Sequence, residues 1–364
     1  MAKIIAGLRS AVVPRAGAFS TLEIHQIAAP VINATLTKSS ISAEDVDELI
    51  VSNALGAGGN PARLCVLESQ LPERIAGLSI DRQCVGGLDA ILLAADMVDA
   101  GRARVVVAGG VESYSRRPLR MRSVSGASVG VAYDRPAFAT DAEMDPDPHF
   151  AMSKLAEEFS ISRKAQEQFT INSHHKAIQA QDHIKREIVP IQGVEIDPYT
   201  RPLTKELMSR SPVLHGSVTA GTTSVSADAA AFVVVVPDDF KSTAEKQLSI
   251  VSSCTIGSAP KNPGLAPVAA IEAILQNFNH PVHVVELMEA YAVQAIACTQ
   301  ATGIDTKIVN PSGGALARGH PVGASGAILA VRLLNQLLPE QFGVAAIAAV
   351  GGIGTAAIFT RCCA

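Results

Sequence analysis

The chain has no tryptophan and only 4% aromatic residues over its 364 positions, so the rings that stack on bases between basic side chains are missing. Thirty lysines and arginines against 34 aspartates and glutamates give a formal net charge of −4, and no basic run offers a phosphate backbone a footprint. Nucleic acid is therefore not expected as a partner. Six cysteines, at positions 65, 84, 254, 298, 362 and 363, show no CxxC or Cys/His ligand spacing. That pattern argues against zinc and, in so long a chain, against a disulfide scaffold. No metal is expected, since His174 and His175 are adjacent on a helix and point in different directions. A reducing cytoplasm fits best. The opening "MAKIIAGLRSAVVPRAG" carries Arg9 and Arg15 too early, and too short an apolar run, for a secretory signal. The longest uncharged apolar stretch, Gly343 to Thr360, is broken by Gly351-Gly352 and reads as strand, turn, strand, so no membrane span is expected.

What is present is apolar and repeated. With 48% hydrophobic residues the chain can fill two core-forming domains or one duplicated unit. After Cys84 it reads Val85-Gly86-Gly87, an apolar helix through about Val98, a turn near Gly101, and a strand from Val105 to Ala108 ending in Gly109-Gly110. After His320 it reads Pro321-Val322-Gly323, the helix "AILAVRLLNQLL", a turn near Gly343, and "VAAIAAV" ending in Gly351-Gly352. Two copies of one unit are implied. Each passes from a tight glycine turn into a helix and then a continuous apolar strand, the pattern of strands buried on both faces between helix layers. A layered α/β fold follows. From about Arg116 to Ser217 charges, prolines and "DAEMDPDPHF", followed by the helical run "SKLAEEFSISRKAQEQFTINSHHKAIQAQ", interrupt the pattern as an insertion in the first half. Phe232 to Val236 is a further strand closed by Pro237, and "DDFKSTAEKQ" is a polar linker. The expected division is residues 1–240, including the inserted loop domain, and residues 245–364.

Two positions in the repeat carry chemistry. A cysteine at a helix N-terminus meets unpaired N–H groups and the positive end of the dipole, which favour thiolate over thiol. Free cysteine is also among the most buried residue types, and inert packing is the other reading of Cys84. Cys65, Cys254 and Cys298 lack the glycine setting and read as packing, while Cys362 and Cys363 are terminal bystanders. The second position lies in "NPSGGALARGHPVGASGAI", residues 310–328, whose glycines let backbone pass close to a ligand. The loop has neither GxGxxG nor GxxxxGK[ST], so nucleotide phosphates are not expected there. His320 is either a turn residue or, standing where the duplication places Cys84, half of a pair formed across a pseudo-twofold axis.

In order and spacing these stretches resemble the thiolases, which condense and cleave acyl-CoA thioesters. "GLRSAVVPRAGAF" at 7–19 is similar to the family's opening strand and turn, and Asn60-Pro61-Ala62-Arg63 to its "NPAR". "RQCVGG" resembles the nucleophile motif and "AGGVESYS" the strand and turn after it. "GSVTAGTTSVSADAAA" at 216–231 is similar to GTVTAGNASGxNDGAAA, and "NPSGGALARGHPVGASGA" is the most specific match. The resemblance implies two βαβαβ-type halves in a layered α/β/α/β/α arrangement with an inserted loop domain. It implies an acyl-enzyme on Cys84, with His320 lowering the pKa of that thiol and moving protons, and an oxyanion site at the backbone N–H groups of Cys84 and Val350. It also implies a substrate that is a coenzyme A thioester with no separate cofactor, and a homodimer or homotetramer. Weaker carry-overs are Ser252 and Gly351 to the substrate pocket and Met152 to the lid over coenzyme A. The family's lid histidine falls on Ala151, with His149 two residues away.

Two departures stand against the matches. The family's second cysteine opens a "CxGGGxG" motif that here begins at Ala348, and the asparagine of its "NEAF" is Met288 in Met288-Glu289-Ala290-Tyr291. The missing sulfur is the acid/base for C2 of acetyl-CoA, and a thioether cannot donate the hydrogen bond that the asparagine supplies. The expected activity is thus cysteine-mediated acyl transfer of the thiolase or acetyl-CoA acyltransferase kind, within fatty acid metabolism. The alternatives are a divergent member with little carbon–carbon condensation, and a non-catalytic acyl-CoA-binding partner subunit.

Overall fold

The computed structural model describes residues 1–362. Nine strands form one path: β1 (Ala2–Ser10), β2 (Glu48–Ser52), β3 (Leu78–Ile80), β4 (Val106–Glu112), β5 (Ala227–Pro237), β6 (Leu248–Gly257), β7 (Val282–Leu287), β8 (Phe342–Ala349) and β9 (Ile353–Arg361). Their order is β7-β8-β9-β6-β1-β5-β4-β2-β3, and Val13–Pro14 and Ile188–Val189 attach as short side strands. The order is its own mirror about the β6–β1 seam. From the seam outward, β1, β5, β4 and β2 match β6, β9, β8 and β7, with the same antiparallel and parallel steps. Where β3 lies parallel to β2, the second half has a single parallel bridge between Val285 and Val309. The repeat read in the sequence is thus a repeat of topology.

Side-chain alternation assigns the layers. In β5, Ala229, Ala231, Val233 and Val235 face one core, while Ala230, Phe232, Val234 and Val236 face another. In β9, Ala357 and Phe359 share that first core, and Ala356 and Ile358 turn to a third. The shared core is built around helices α1 (Gly86–Asp99) and α2 (Val322–Gln336), the two copies in the repeat. Helix Ile24–Ser39 covers the outer face of the first half, and helices Ala266–Leu275 and Ala292–Thr302 cover that of the second. Five layers result, helix, sheet, helix pair, sheet, helix.

The helix pair packs closely because glycine faces backbone at the crossing. A Cβ on Gly87 would lie 2.7 Å from the Gly323 carbonyl oxygen, and one on Gly326 only 2.4 Å from the Leu88 nitrogen. The insertion contributes helices Pro148–Glu158 and Arg163–Gln179 rather than one run, the break falling at Ser160 with φ 53°. It is tied to both halves by buried charge. Arg9 Nε and Arg332 Nη1 each donate to Glu187 Oε1 at 2.8 Å, and Arg9 also holds Asp197 through two hydrogen bonds of 2.8 and 2.9 Å. Gly343 to Thr360 is a hairpin of β8 and β9, and among the described residues no helix is long and apolar enough to cross a membrane.

Candidate active site

Cys84 sits in the turn Gln83–Val85, immediately before α1, and Gln83 takes a left-handed φ of 53° to make that turn. His320 precedes α2 by the same two residues. The helices meet at their N-terminal ends, and His320 Nε2 lies 3.2 Å from Cys84 Sγ. On the far side of the ring Nδ1 is 2.7 Å from Ser325 Oγ, and that hydroxyl donates to the Pro321 carbonyl at 3.0 Å. With its own proton committed, Ser325 accepts from Nδ1–H, so Nε2 presents a lone pair to the sulfur.

The electrostatics correct the expectation of a resting thiolate. Burial pushes the Cys84 thiol up to about 12, the Glu112 and Asp81 carboxylates add to the rise, and its own backbone N–H opposes it. Burial, with Arg318 nearby, brings His320 down to about 4. The pair rests as thiol and neutral imidazole, poised for proton transfer during attack rather than before it. Glu112, at the end of β4, takes hydrogen bonds from Asn53 Nδ2, Leu55 N, Ala54 N and Gly323 N. Burial nonetheless raises it to about 7.

The two departures lie at the ends of neighbouring strands. Met288 follows β7, donates its N–H to the Ala346 carbonyl at 2.9 Å, and is 2% exposed in the shared core. Ala348 is the penultimate residue of β8, opposite Gly354, and the end of β8 packs against the turn that carries Cys84. Val350 and Gly351 form the β8–β9 turn. Gly351 has φ 78°, and a Cβ there would meet the Phe138 carbonyl oxygen at 2.9 Å.

Other expected residues lie elsewhere. Ser252 pairs with Ile358, whose side chain faces the outer core, whereas Thr255 on the opposite face of β6 reaches Asp89 of α1. The pleat therefore turns Ser252 away from Cys84, and the carry-over to a substrate pocket is not supported there. Met152 is buried at 3% among Leu155, Val293 and Ala297, against Gly264. Of the remaining cysteines, Cys65 and Cys298 are buried, Cys254 and Cys362 are half-buried, and Cys363 lies outside the described residues. No group of three or more His, Cys, Asp or Glu among the described residues could hold a metal.

Sequence reasoning gave no catalytic role to two phenols and a histidine. Tyr291, where the "NEAF" motif has phenylalanine, has its hydroxyl 3.0 Å from His149 Nδ1, with the rings edge to face at 5.7 Å. Tyr114 is raised to about 12, by burial first and by charge at Cys84 next. Tyr291 is also raised, by burial and then by Asp147, Tyr114 and Cys84. Both rings thus lie within electrostatic reach of the sulfur. The tyrosine in the motif was the available signal.

Comparison with known proteins gives a consistent result. The family description "Thiolase, N-terminal domain" matches residues 2–239, and "Thiolase, C-terminal domain" matches residues 245–361. The chain is 36% identical over 352 residues to "Putative acetyl-CoA C-acetyltransferase YhfS" of Bacillus subtilis (strain 168), covering 92% of each chain. It is 33% identical over 377 residues to "Putative acetyl-CoA C-acetyltransferase VraB" of Staphylococcus aureus (strain MW2), covering 99% of each. Among solved structures, the Acat5 thiolase from Ascaris suum in complex with coenzyme A superposes with a TM-score of 0.90 at 26% identity, covering 99% of both chains. The Bacillus anthracis acetyl-CoA acetyltransferase gives 0.89 at 26% identity, covering 99% of this chain and 98% of that one.

Proposed function

The chain belongs to the thiolase family, and from that premise we propose that it moves an acyl group from a coenzyme A thioester through an acyl-enzyme on Cys84. The observation that carries this reading is the 3.2 Å contact between His320 Nε2 and Cys84 Sγ, with Ser325 fixing the imidazole tautomer. His320 takes the thiol proton as the sulfur attacks the thioester carbon and returns it to the departing coenzyme A thiolate. The developing oxyanion is received by the N–H groups of Cys84 and Val350, at the start of α1 and in the β8–β9 turn. Coenzyme A enters and leaves as substrate, and the chemistry asks for no further cofactor. A second reading is favoured by Ala348 and Met288. In it acylation proceeds but carbon–carbon condensation is slow, since both departures fall on the half-reaction that handles C2 of the acceptor.

The same proposal extends to assembly and setting. β3 ends the sheet, and Leu78 in it is 39% exposed; an open edge of this kind is commonly closed by a second copy, which supports a homodimer or a homotetramer. A cytoplasmic place in fatty acid metabolism suits a thiol nucleophile and an acyl thioester substrate. The test is intact-mass measurement after mixing the protein with acyl-CoA thioesters of graded chain length. One acyl increment is expected, lost in Cys84→Ser and slowed about 10² to 10⁴-fold in His320→Gln. No increment with any thioester overturns the reading.

A further inference from the structure

The cleft around Cys84 holds a hydroxyl and an imidazole that acylation does not use. Tyr291 lies three residues beyond Met288, at the start of helix Ala292–Thr302. Its backbone bridges to Thr223, while that of His320 bridges to Ser226, so one short segment, 223–226, carries both residues on their way into the site. The Ser224 N–H to Ala290 carbonyl bond of 3.0 Å fixes the same approach. The Tyr291 hydroxyl meets His149 Nδ1 at 3.0 Å, and His149 is half-buried in the first turn of helix Pro148–Glu158, with part of its surface open to water. Asp147 caps that helix and lies within electrostatic reach of the phenol. Thr223 and Ser226 are three residues apart on the segment 223–226, which brings Tyr291 to the side of the site from which His320 enters.

We propose that Tyr291, hydrogen-bonded to His149, is the acid/base for the α-carbon of the second acyl-CoA, the task left open by Ala348. The inference rests on the acyl-enzyme reading of Cys84. In the cleavage direction Cys84 Sγ bonds to the 3-keto carbon of a 3-ketoacyl-CoA. As the adduct collapses the C2–C3 bond breaks, the shortened acyl group stays on sulfur, and the electron pair goes to C2 as a thioester enolate. The Tyr291 hydroxyl gives its proton to C2 and so completes acetyl-CoA, and the phenolate is reprotonated through His149 from water. In the condensation direction C2 gives its proton to Tyr291 as the phenol proton passes to His149 Nδ1, and the enolate attacks the acyl-enzyme carbon and expels the Cys84 thiolate. Tyr291 is the catalytic residue of this step, and His149 is its proton partner.

The experiment separates the two half-reactions in the full-length protein. Acylation of Cys84 is followed by intact mass with acetyl-CoA, and exchange of the acetyl-CoA C2 protons with D2O is followed by mass spectrometry. Wild type, Tyr291→Phe and His149→Gln are compared; phenylalanine is the residue the motif carries, so the first change fits the fold. The expected result is exchange in wild type, an exchange rate about 10² to 10⁴-fold lower in Tyr291→Phe and at least about tenfold lower in His149→Gln. Acylation in both variants is expected to fall by less than about threefold. Exchange at the wild-type rate in Tyr291→Phe, or acylation without any exchange in wild type, overturns this proposal and leaves the acyl-enzyme reading intact. A parallel fall in acylation and exchange also overturns it, because Tyr291 then serves the first half-reaction. Absence of acylation in wild type removes the acyl-enzyme reading and this proposal with it.

Discussion

The backbone N–H of Gly323 donates to the Glu112 carboxylate at 3.0 Å, so the helix that follows His320 is anchored through its first turn to the strand of the other half that ends beside Cys84. A carboxyl group at a helix N-terminus is favourably placed, and this one also receives Asn53, Ala54 and Leu55. The bond fixes how the two halves meet at the site.

Glu112→Gln keeps the shape and removes one acceptor oxygen, leaving two of the four donors facing an NH2 group. Each buried unsatisfied donor costs about 1–3 kcal/mol, so the variant is expected to lose about 2–6 kcal/mol by urea denaturation. An unchanged midpoint would show that the loop Asn53–Leu55 and α2 hold their positions without the carboxylate.

At the helix crossing, Gly326→Ala puts a methyl 2.4 Å from the Leu88 nitrogen, which is backbone and cannot turn aside. Overpacking of this kind costs about 1–3 kcal/mol. A lowered Tm is expected, with slower Cys84 acylation, because His320 directly precedes the displaced helix.

A resting thiol at Cys84 has a signature in alkylation. With the group pushed up to about 12, the rate of iodoacetamide labelling at Cys84 should climb between pH 7 and pH 10 without levelling. A plateau below pH 8 would reveal a preformed thiolate–imidazolium pair and reverse the electrostatic account.

His320 should also leave its mark on stability. Its folded value of about 4 lies below the unfolded 6.5, so between these the unfolded chain binds the extra proton. The contribution is complete above pH 6.5 and is lost as pH falls toward 4, by up to about 3 kcal/mol. His174 is lowered to about 4 as well, by burial and then by Arg201. The difference between wild type and His320→Gln, measured by urea midpoints from pH 4 to 7, isolates the first.

The missing sulfur can be returned to test the phenol. Gly354 lies opposite Ala348, and the place of a Cβ on it is taken by the Ala266 backbone carbonyl, so the added thiol has to fit against the start of helix Ala266–Leu275. Ala348→Cys should change C2 exchange little in wild type and restore it by at least about tenfold in Tyr291→Phe. No restoration would mean that a sulfur at 348 cannot reach the α-carbon in this cleft.

What the sequence discloses depends on how local its causes are. The paired segments after Cys84 and His320 announce α1, α2 and the strands behind them, because glycine, apolar run and strand follow one another directly. The pairing of Cys84 with His320 follows from that symmetry. The outward turn of Ser252 depends on the pleat after an irregularity between Ile250 and Ser252, which no pattern of polar residues marks. The protonation of Cys84 depends on burial and on Glu112, both set by tertiary packing. The partnership of Tyr291 with His149 joins residues 142 positions apart across the insertion, and the substitution in one motif hints at only half of it.

Cys84 and His320 stand at equivalent places, each two residues ahead of its helix in a mirrored pair of halves. The symmetry of the backbone thus stops at the side chains: equivalent positions hold a thiol in one half and an imidazole in the other, and the proton transfer between them depends on that difference.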